Sequence, residues 1–189
     1  MNLCSVGFLC GLLALGLAGP LADVSVSLQR GACPLFWYEH GGGCYKYVSS
    51  RVAWADAELH CMSLDAHLVA IHNLHEMEFV TQLIENFDLT KGGHWIGFSD
   101  GHQEGAWMWT DGSPPDFTNW SPTEPNNEYG HEHCAETYDT FQWNDQVCTA
   151  ALPFVCKARE RTDLVMPQKP SRASWITGYS VLIPLETHR

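Results

Sequence analysis

Five residues between Glu124 and Asp145 carry oxygen at close spacing: Glu124, Asn126, Glu132, Asn144 and Asp145. Three are carboxylates and two are amides. Side chains this polar repel one another and cannot form a core unless something pairs them. A hard divalent cation does, because calcium takes about six to eight oxygens from carboxylates, amide carbonyls and water. Three carboxylates slightly overcompensate a double positive charge, so the set is strained by mutual repulsion without the ion. Zinc prefers histidine and cysteine, and His131 and His133 flank Glu132. On a strand, however, those two side chains point to the face opposite Glu132. There is no H-E-x-x-H motif either. Ca2+ is therefore the predicted cofactor. Catalysis is not predicted: the carboxylates are committed to the ion, and no serine or free cysteine has a recognisable partner for a hydrolytic site.

The rest of the chain narrows the setting. Ten Lys and Arg against twenty-two Asp and Glu give a net charge of −12, which excludes a basic surface for a nucleic acid partner. The apolar run from Val6 to Ala18 is short for a membrane span and has the length of a signal-peptide core, although no Lys or Arg precedes it. Ala18 and Ala22 both suit cleavage. The predicted organisation is a signal peptide over 1–22, a short segment over 23–32, one domain over 33–158 and a flexible tail over 159–189. The tail has basic residues and prolines without a period, and its apolar part, "WITGYSVLIPL", is too short to cross a bilayer. A secreted, extracellular protein without stable membrane insertion follows. Cys4 and Cys10 would leave with the signal. Cys33, Cys44, Cys61, Cys134, Cys148 and Cys156 remain, an even set that reads as a disulfide framework whose connectivity the sequence leaves open.

The elements that must position the oxygen cluster are readable in outline. "GACPLFWYEHGGGCYKYV" predicts two short strands about Gly41–Gly43, with Cys33 and Cys44 close enough to bridge. "SSRVAWADAELHCMSL" predicts a helix capped by Ser50, with Trp54, Ala57, Cys61 and Leu64 on one face. A short buried strand, "AHLVAI", follows. "NLHEMEFVTQLIENF" predicts a second helix, capped by Asn73 with Glu76 three residues on, and an apolar stripe of Met77, Val80, Ile84 and Phe87. "HWIGF" and "GAWMWTDG" read as strands, the latter ending at an Asp111-Gly112 turn. Residues 113–129 have no period and form a long excursion of the functional kind, which Trp120 should tie down. "HCAETYD", "FQWND" and "LPFVCKA" supply closing strands. The class is α+β: two helices, small antiparallel sheets, a long irregular loop region and three disulfides.

With these residues in place, the stretch from Cys33 to Cys156 resembles a C-type lectin domain of the long form. The resemblance rests on "WIGF" at Trp95–Phe98, "EPN" at Glu124–Asn126, "WND" at Trp143–Asp145 and the cysteine framework. It implies the C-type lectin-like fold and the pairings Cys33–Cys44, Cys61–Cys156 and Cys134–Cys148. It further implies that Glu124, Asn126, Glu132, Asn144 and Asp145 hold the sugar-binding calcium and also contact the carbohydrate, with a cis bond before Pro125. A second calcium would fall to Asp100, Glu104 and Asn127, but Asn127 and His133 stand where carboxylates are usual, which weakens it. Two vicinal sugar hydroxyls would complete the coordination shell. Glu124 and Glu132 accept from them, while the amides of Asn126 and Asn144 donate.

The Glu-Pro-Asn order resembles the mannose type, which favours equatorial hydroxyls. The implied partners are glycans bearing mannose, N-acetylglucosamine (GlcNAc), glucose or fucose rather than galactose, in a setting such as innate pathogen recognition. With all six cysteines paired and no stalk sequence before Cys33, any homo-oligomer would be non-covalent. Tyr129 and His131 border the site, and protonation of His131 and His133 would sharpen calcium release in acid. Asn119-Trp120-Ser121 is an N-glycosylation sequon. Two other readings use the same domain: calcium-dependent ice binding of the type II antifreeze kind, and a protein-binding lectin-like domain with a vestigial sugar site.

Overall fold

Glycines at 41 and 42 take positive φ values of 56° and 78°, which lets the chain reverse between β1 (Tyr38–His40) and β2 (Gly43–Val52). The structure is a computed structural model that describes residues 27–90, 92–138 and 142–159. The predicted signal peptide, residues 23–26 of the segment after it, and the tail beyond residue 159 lie outside the described residues.

Helix α1 (Trp54–Met62) begins later than its sequence suggests. Ser50 does not cap it: β2 continues through Val52, which pairs with Leu152 of the last strand, and Ser50 lies in the irregular stretch of β2 between Val48 and Val52. The helix starts instead at Ala53, which offers no side-chain cap, and Trp54 N donates to Cys148 O at 3.0 Å. Ala57 and Cys61 are buried as expected, whereas Leu64 lies beyond the helix end and is 38 % exposed. Helix α2 (Leu74–Phe87) keeps its predicted cap, with Asn73 accepting from Glu76 N at 2.9 Å. The Glu76 carboxylate does not turn back on Asn73. It accepts from His72 N, Tyr45 Oη and Lys157 Nζ. Met77, Val80 and Ile84 are buried, while Phe87 is half exposed and stacks on Tyr47 at 5.6 Å.

The remaining strands are β3 (His67–Leu68), β4 (His94–Ser99), β5 (Met108–Trp109), β6 (Glu132–Thr137), β7 (Trp143–Val147) and β8 (Leu152–Arg159). Their pairings join into one sheet in the order β1-β2-β8-β4-β6-β7, with β3 on β8 and β5 on β4. All are antiparallel except one parallel contact, Trp95 with Phe154. The small antiparallel ladders are thus continuous through the central strands. Disulfides join Cys33 to Cys44, Cys61 to Cys156 and Cys134 to Cys148. They tie the first hairpin, α1 to β8, and β6 to the end of β7.

Two apolar clusters hold these parts. One packs α2 on Val69, Ile96, Phe98, Trp109 and Trp143; the other gathers Ala57, Leu68, Trp95 and Phe154 around the Cys61–Cys156 bridge. The first also anchors the long excursion. Trp120 stands edge-on to Trp107 at 4.7 Å and to Trp143 at 5.7 Å, and Ser121 N donates to Trp143 O at 2.8 Å. Gly97 lets β4 pass close to β3, since a Cβ there would lie 2.6 Å from Leu68 O. Among the described residues, no helix is long and apolar enough to cross a membrane.

Candidate functional site

Three segments converge beyond this aromatic anchor. The first is the loop through Glu124, whose bond to Pro125 is cis as the resemblance implies. The second is a 3-10 turn, Glu128–Gly130, leading into β6; the third is β7. Asp145 ties the first to the third. It is fully buried, its Oδ1 accepts from Asn126 N at 3.0 Å, and its Oδ2 accepts from Asn127 N at 2.7 Å. Glu132 ties the turn, accepting from Glu128 N at 3.0 Å, while its own N donates to Asn127 Oδ1 at 3.0 Å. These bonds draw Asn126 and the turn toward Asp145 and Glu132; Glu124 faces Asp145, Asn126 and Glu132, and Asn144 precedes Asp145 on β7.

The electrostatics of that region are those of crowded like charge. Burial raises the Glu124 carboxyl above its ordinary range, and the facing carboxylates of Asp145 and Glu132 push it further; the Asn126 amide opposes them. Glu132 is also raised, by burial and then by Asp145 and Glu128, against the bond from Glu128 N. Glu124 Oε2 is buried with no hydrogen-bond partner. An orphaned carboxylate oxygen among anions is costly, and it marks where positive charge fits. The donors are all oxygen, so a hard cation suits them better than zinc.

The two amides differ in their surroundings. Asn144 Nδ2 donates inward, to Glu136 Oε1 at 3.1 Å and to Asp145 O at 2.7 Å. Asn126, the other amide of the set, is exposed.

A second group lies alongside. Asp100, Glu104 and His133 bring one ligand atom each within 4.8 Å of one another. Asp100 is buried and oriented by Gly105 N, which donates to Oδ2 at 2.7 Å; His133 Nδ1 sits 3.1 Å from Asp100 Oδ1 and 3.5 Å from Glu104 Oε2. The β6–β7 register shifts between Glu132 and Cys134, so regular alternation does not govern this pair, and what orients His133 is its contact with Asp100 and Glu104. Asn127 links the two groups, with Nδ2 donating to Glu104 and Oδ1 accepting from Glu132 N. Tyr129 is 87 % exposed at a positive φ of 57° beside the site. Asn119 is part-buried, and its carbonyl accepts from Trp143 N at 2.7 Å. Glu136, buried under Asn144, was missed in the sequence. The only trace was its place two residues after Cys134 in the strand.

The profile of the Lectin C-type domain family matches residues 50–158. Asialoglycoprotein receptor 2 of Homo sapiens is 38% identical over 138 residues, which is 69% of this chain and 42% of that protein. Ladderlectin of Oncorhynchus mykiss is 35% identical over 143 residues, 75% of each chain. Galactose-specific lectin nattectin of Thalassophryne nattereri is 35% identical over 126 residues, 66% of this chain and 79% of that one. The chain thus spans under half the length of the receptor and most of the other two. Among solved structures, the lectin CEL-I of Cucumaria echinata is similar with a TM-score of 0.65 and 30% identity, covering 66% of this chain and 96% of that one. A calcium-independent type II antifreeze protein is similar with a TM-score of 0.61 and 32% identity, covering 71% and 97%.

Proposed function

The chain belongs to the C-type lectin domain family, a carbohydrate-binding rather than enzymatic fold, and from that premise we propose that it is a secreted, calcium-dependent lectin for mannose-type sugars. The observation that carries the calcium reading is the buried, unpartnered oxygen of Glu124 among the carboxylates of Asp145 and Glu132. In this reading Glu124, Asn126, Glu132, Asn144 and Asp145 hold Ca2+, which supplies open coordination positions for two vicinal hydroxyls. Glu124 and Glu132 accept the hydroxyl protons, and Asn126 donates to an oxygen lone pair. The order of acid before amide across Pro125 supports mannose, GlcNAc and fucose over galactose. Asp100, Glu104 and Asn127 with His133 form a weaker second cation group, having fewer anions than an all-carboxylate set.

Residues 1–22 would be removed on export, and Asn119 would carry a glycan. A shallow site of this kind binds single sugars weakly, so glycan-coated surfaces such as those met in innate pathogen recognition would be held through several sites on a non-covalent oligomer. The test is retention of the full, disulfide-intact protein on mannose resin with calcium, elution by chelator, and competition by mannose, fucose, GlcNAc and galactose. Preferential elution by galactose would assign the specificity that nattectin's name states for that protein. No calcium uptake in calorimetry at millimolar metal would overturn the reading. The likeness to an antifreeze protein supplies a second reading, ice binding, and ice shaping without sugar competition would establish it.

A further inference from the structure

Beneath the five oxygen donors sits a carboxylate that the cation reading does not use. Glu136 on β6 is 3 % exposed and pairs directly across from Asn144 on β7. Its Oε1 accepts from Asn144 Nδ2 at 3.1 Å and from Gln146 Nε2 at 3.5 Å. The absent Cβ of Gly93 leaves space for it: a Cβ there would fall 1.7 Å from Glu136 Oε2 and 2.7 Å from its Cδ, so any larger residue would displace the carboxylate from this position. The charged neighbour acting on it is Glu132, of like sign. Burying a carboxylate on two neutral amides, near another anion, is unfavourable for folding alone. The arrangement makes sense if the cost is offset when a cation binds above.

We propose that Glu136 is a positioning residue for the cation site: it holds the nitrogen of Asn144, so that the amide oxygen is the atom presented to calcium, and it adds a fourth carboxylate to the field the ion feels. Asparagine can present either end of its amide, and only the oxygen binds a metal. Glu136 Oε1 takes one proton of that nitrogen at 3.1 Å and Asp145 O takes the other at 2.7 Å, so the two acceptors together settle the choice before the ion arrives. Partners of this outer kind set ligand orientation, and their loss typically weakens metal affinity by roughly 10–100-fold. Gln146, bonded to the same oxygen, keeps Glu136 in register beneath Asn144.

This inference rests on the calcium-lectin reading, and two measurements on the full, disulfide-intact protein separate them. In calorimetry with calcium alone, Glu136→Ala should bind about 10–100-fold more weakly than wild type. Glu136→Gln keeps an oxygen for the Asn144 nitrogen but loses the charge, and should fall between the two. At saturating calcium all three should share one mannose affinity, since Glu136 does not reach the sugar; a structural defect would lower the number of active sites instead. The second measurement uses no calcium. In chelated protein, the Asn144 side-chain amide proton that Glu136 accepts should exchange slowly with solvent by NMR, and Glu136→Ala should speed that exchange while Glu136→Gln retains the protection. Wild-type calcium affinity in Glu136→Ala overturns the proposal. So does unchanged Asn144 amide exchange, even if the wild type takes up no calcium and only the lectin reading has failed.

Discussion

Replacing Asp145 by Asn tests whether the site is organised around charge that a cation must neutralise. The perturbation changes one oxygen to NH2 in a side chain that is fully buried and holds the backbone N–H groups of Asn126 and Asn127 at 3.0 and 2.7 Å. One of those N–H groups then meets a donor, and the other keeps a neutral acceptor. A hydrogen bond to a charged group is worth about 1.5–3 kcal/mol, so the loop through Glu124 is loosened by roughly that amount. In the metal-free protein a second effect opposes it. Asp145 repels Glu124 and Glu132, and relieving a like-charge contact at an effective dielectric of about 20 returns a few kcal/mol. The two nearly cancel, so the chelated melting temperature should move little. With calcium no such cancellation occurs, because the lost anion and the loosened loop both weaken binding. From the loop alone, about 1.5–3 kcal/mol corresponds to roughly a 10–150-fold weaker Kd. The assay is a calcium titration by calorimetry, paired with thermal melts in chelator. A Kd within about threefold of wild type, or a variant that no longer folds in chelator, would refute the reasoning.

Three further outcomes follow from the same geometry. Glu124→Gln combined with Asn126→Asp should shift preference from mannose toward galactose in a glycan-binding assay, and an unchanged ranking would count against the hydroxyl-matching account. Glu124 and Glu132 titrate above their ordinary range in the folded, metal-free chain, so the native form holds their protons more tightly than the unfolded one does. Their contribution to stability is fully present below the ordinary glutamate value of 4.5 and is lost as pH rises through the raised values. Melts of chelated protein from pH 4.5 to neutrality should therefore show wild type losing stability relative to Glu124→Gln; calcium should remove the difference, and parallel curves without calcium would contradict it. Gly97→Ala should destabilise the domain by about 1–3 kcal/mol in denaturant titrations, because the new methyl meets Leu68 O at 2.6 Å, a backbone atom that cannot swing away; wild-type stability would show that β3 and β4 are less closely apposed than described.

What could be read from the chain by itself was local. Asn73 three residues before Glu76 marked the start of α2, Gly41 and Gly42 marked a reversal, and the spacing of Glu-Pro-Asn and Trp-Asn-Asp marked the family, because each signal depends on neighbours within a turn or a strand. The five oxygen donors proposed for the cation were also named from local sequence, since a hard cation is selected by atom type. Only the tertiary structure decided the rest. Ser50 had the chemistry of a helix cap, but β2 runs on to Val52, which pairs with Leu152, so the helix starts beyond its reach and Ser50 lies in the irregular stretch between Val48 and Val52. Spacing alone was silent on Cys61 with Cys156, 95 residues apart, and on His133 with Asp100, 33 apart, because loop closure depends only weakly on length; the family resemblance implied the disulfide, and the packed structure set the contact distances. Glu136 looked like any polar strand residue until the register set it opposite Asn144 and the missing Cβ of Gly93 made room for it. Local sequence names the groups that can do chemistry; burial and distance, which arise only when remote segments pack, determine which atom of each group is presented.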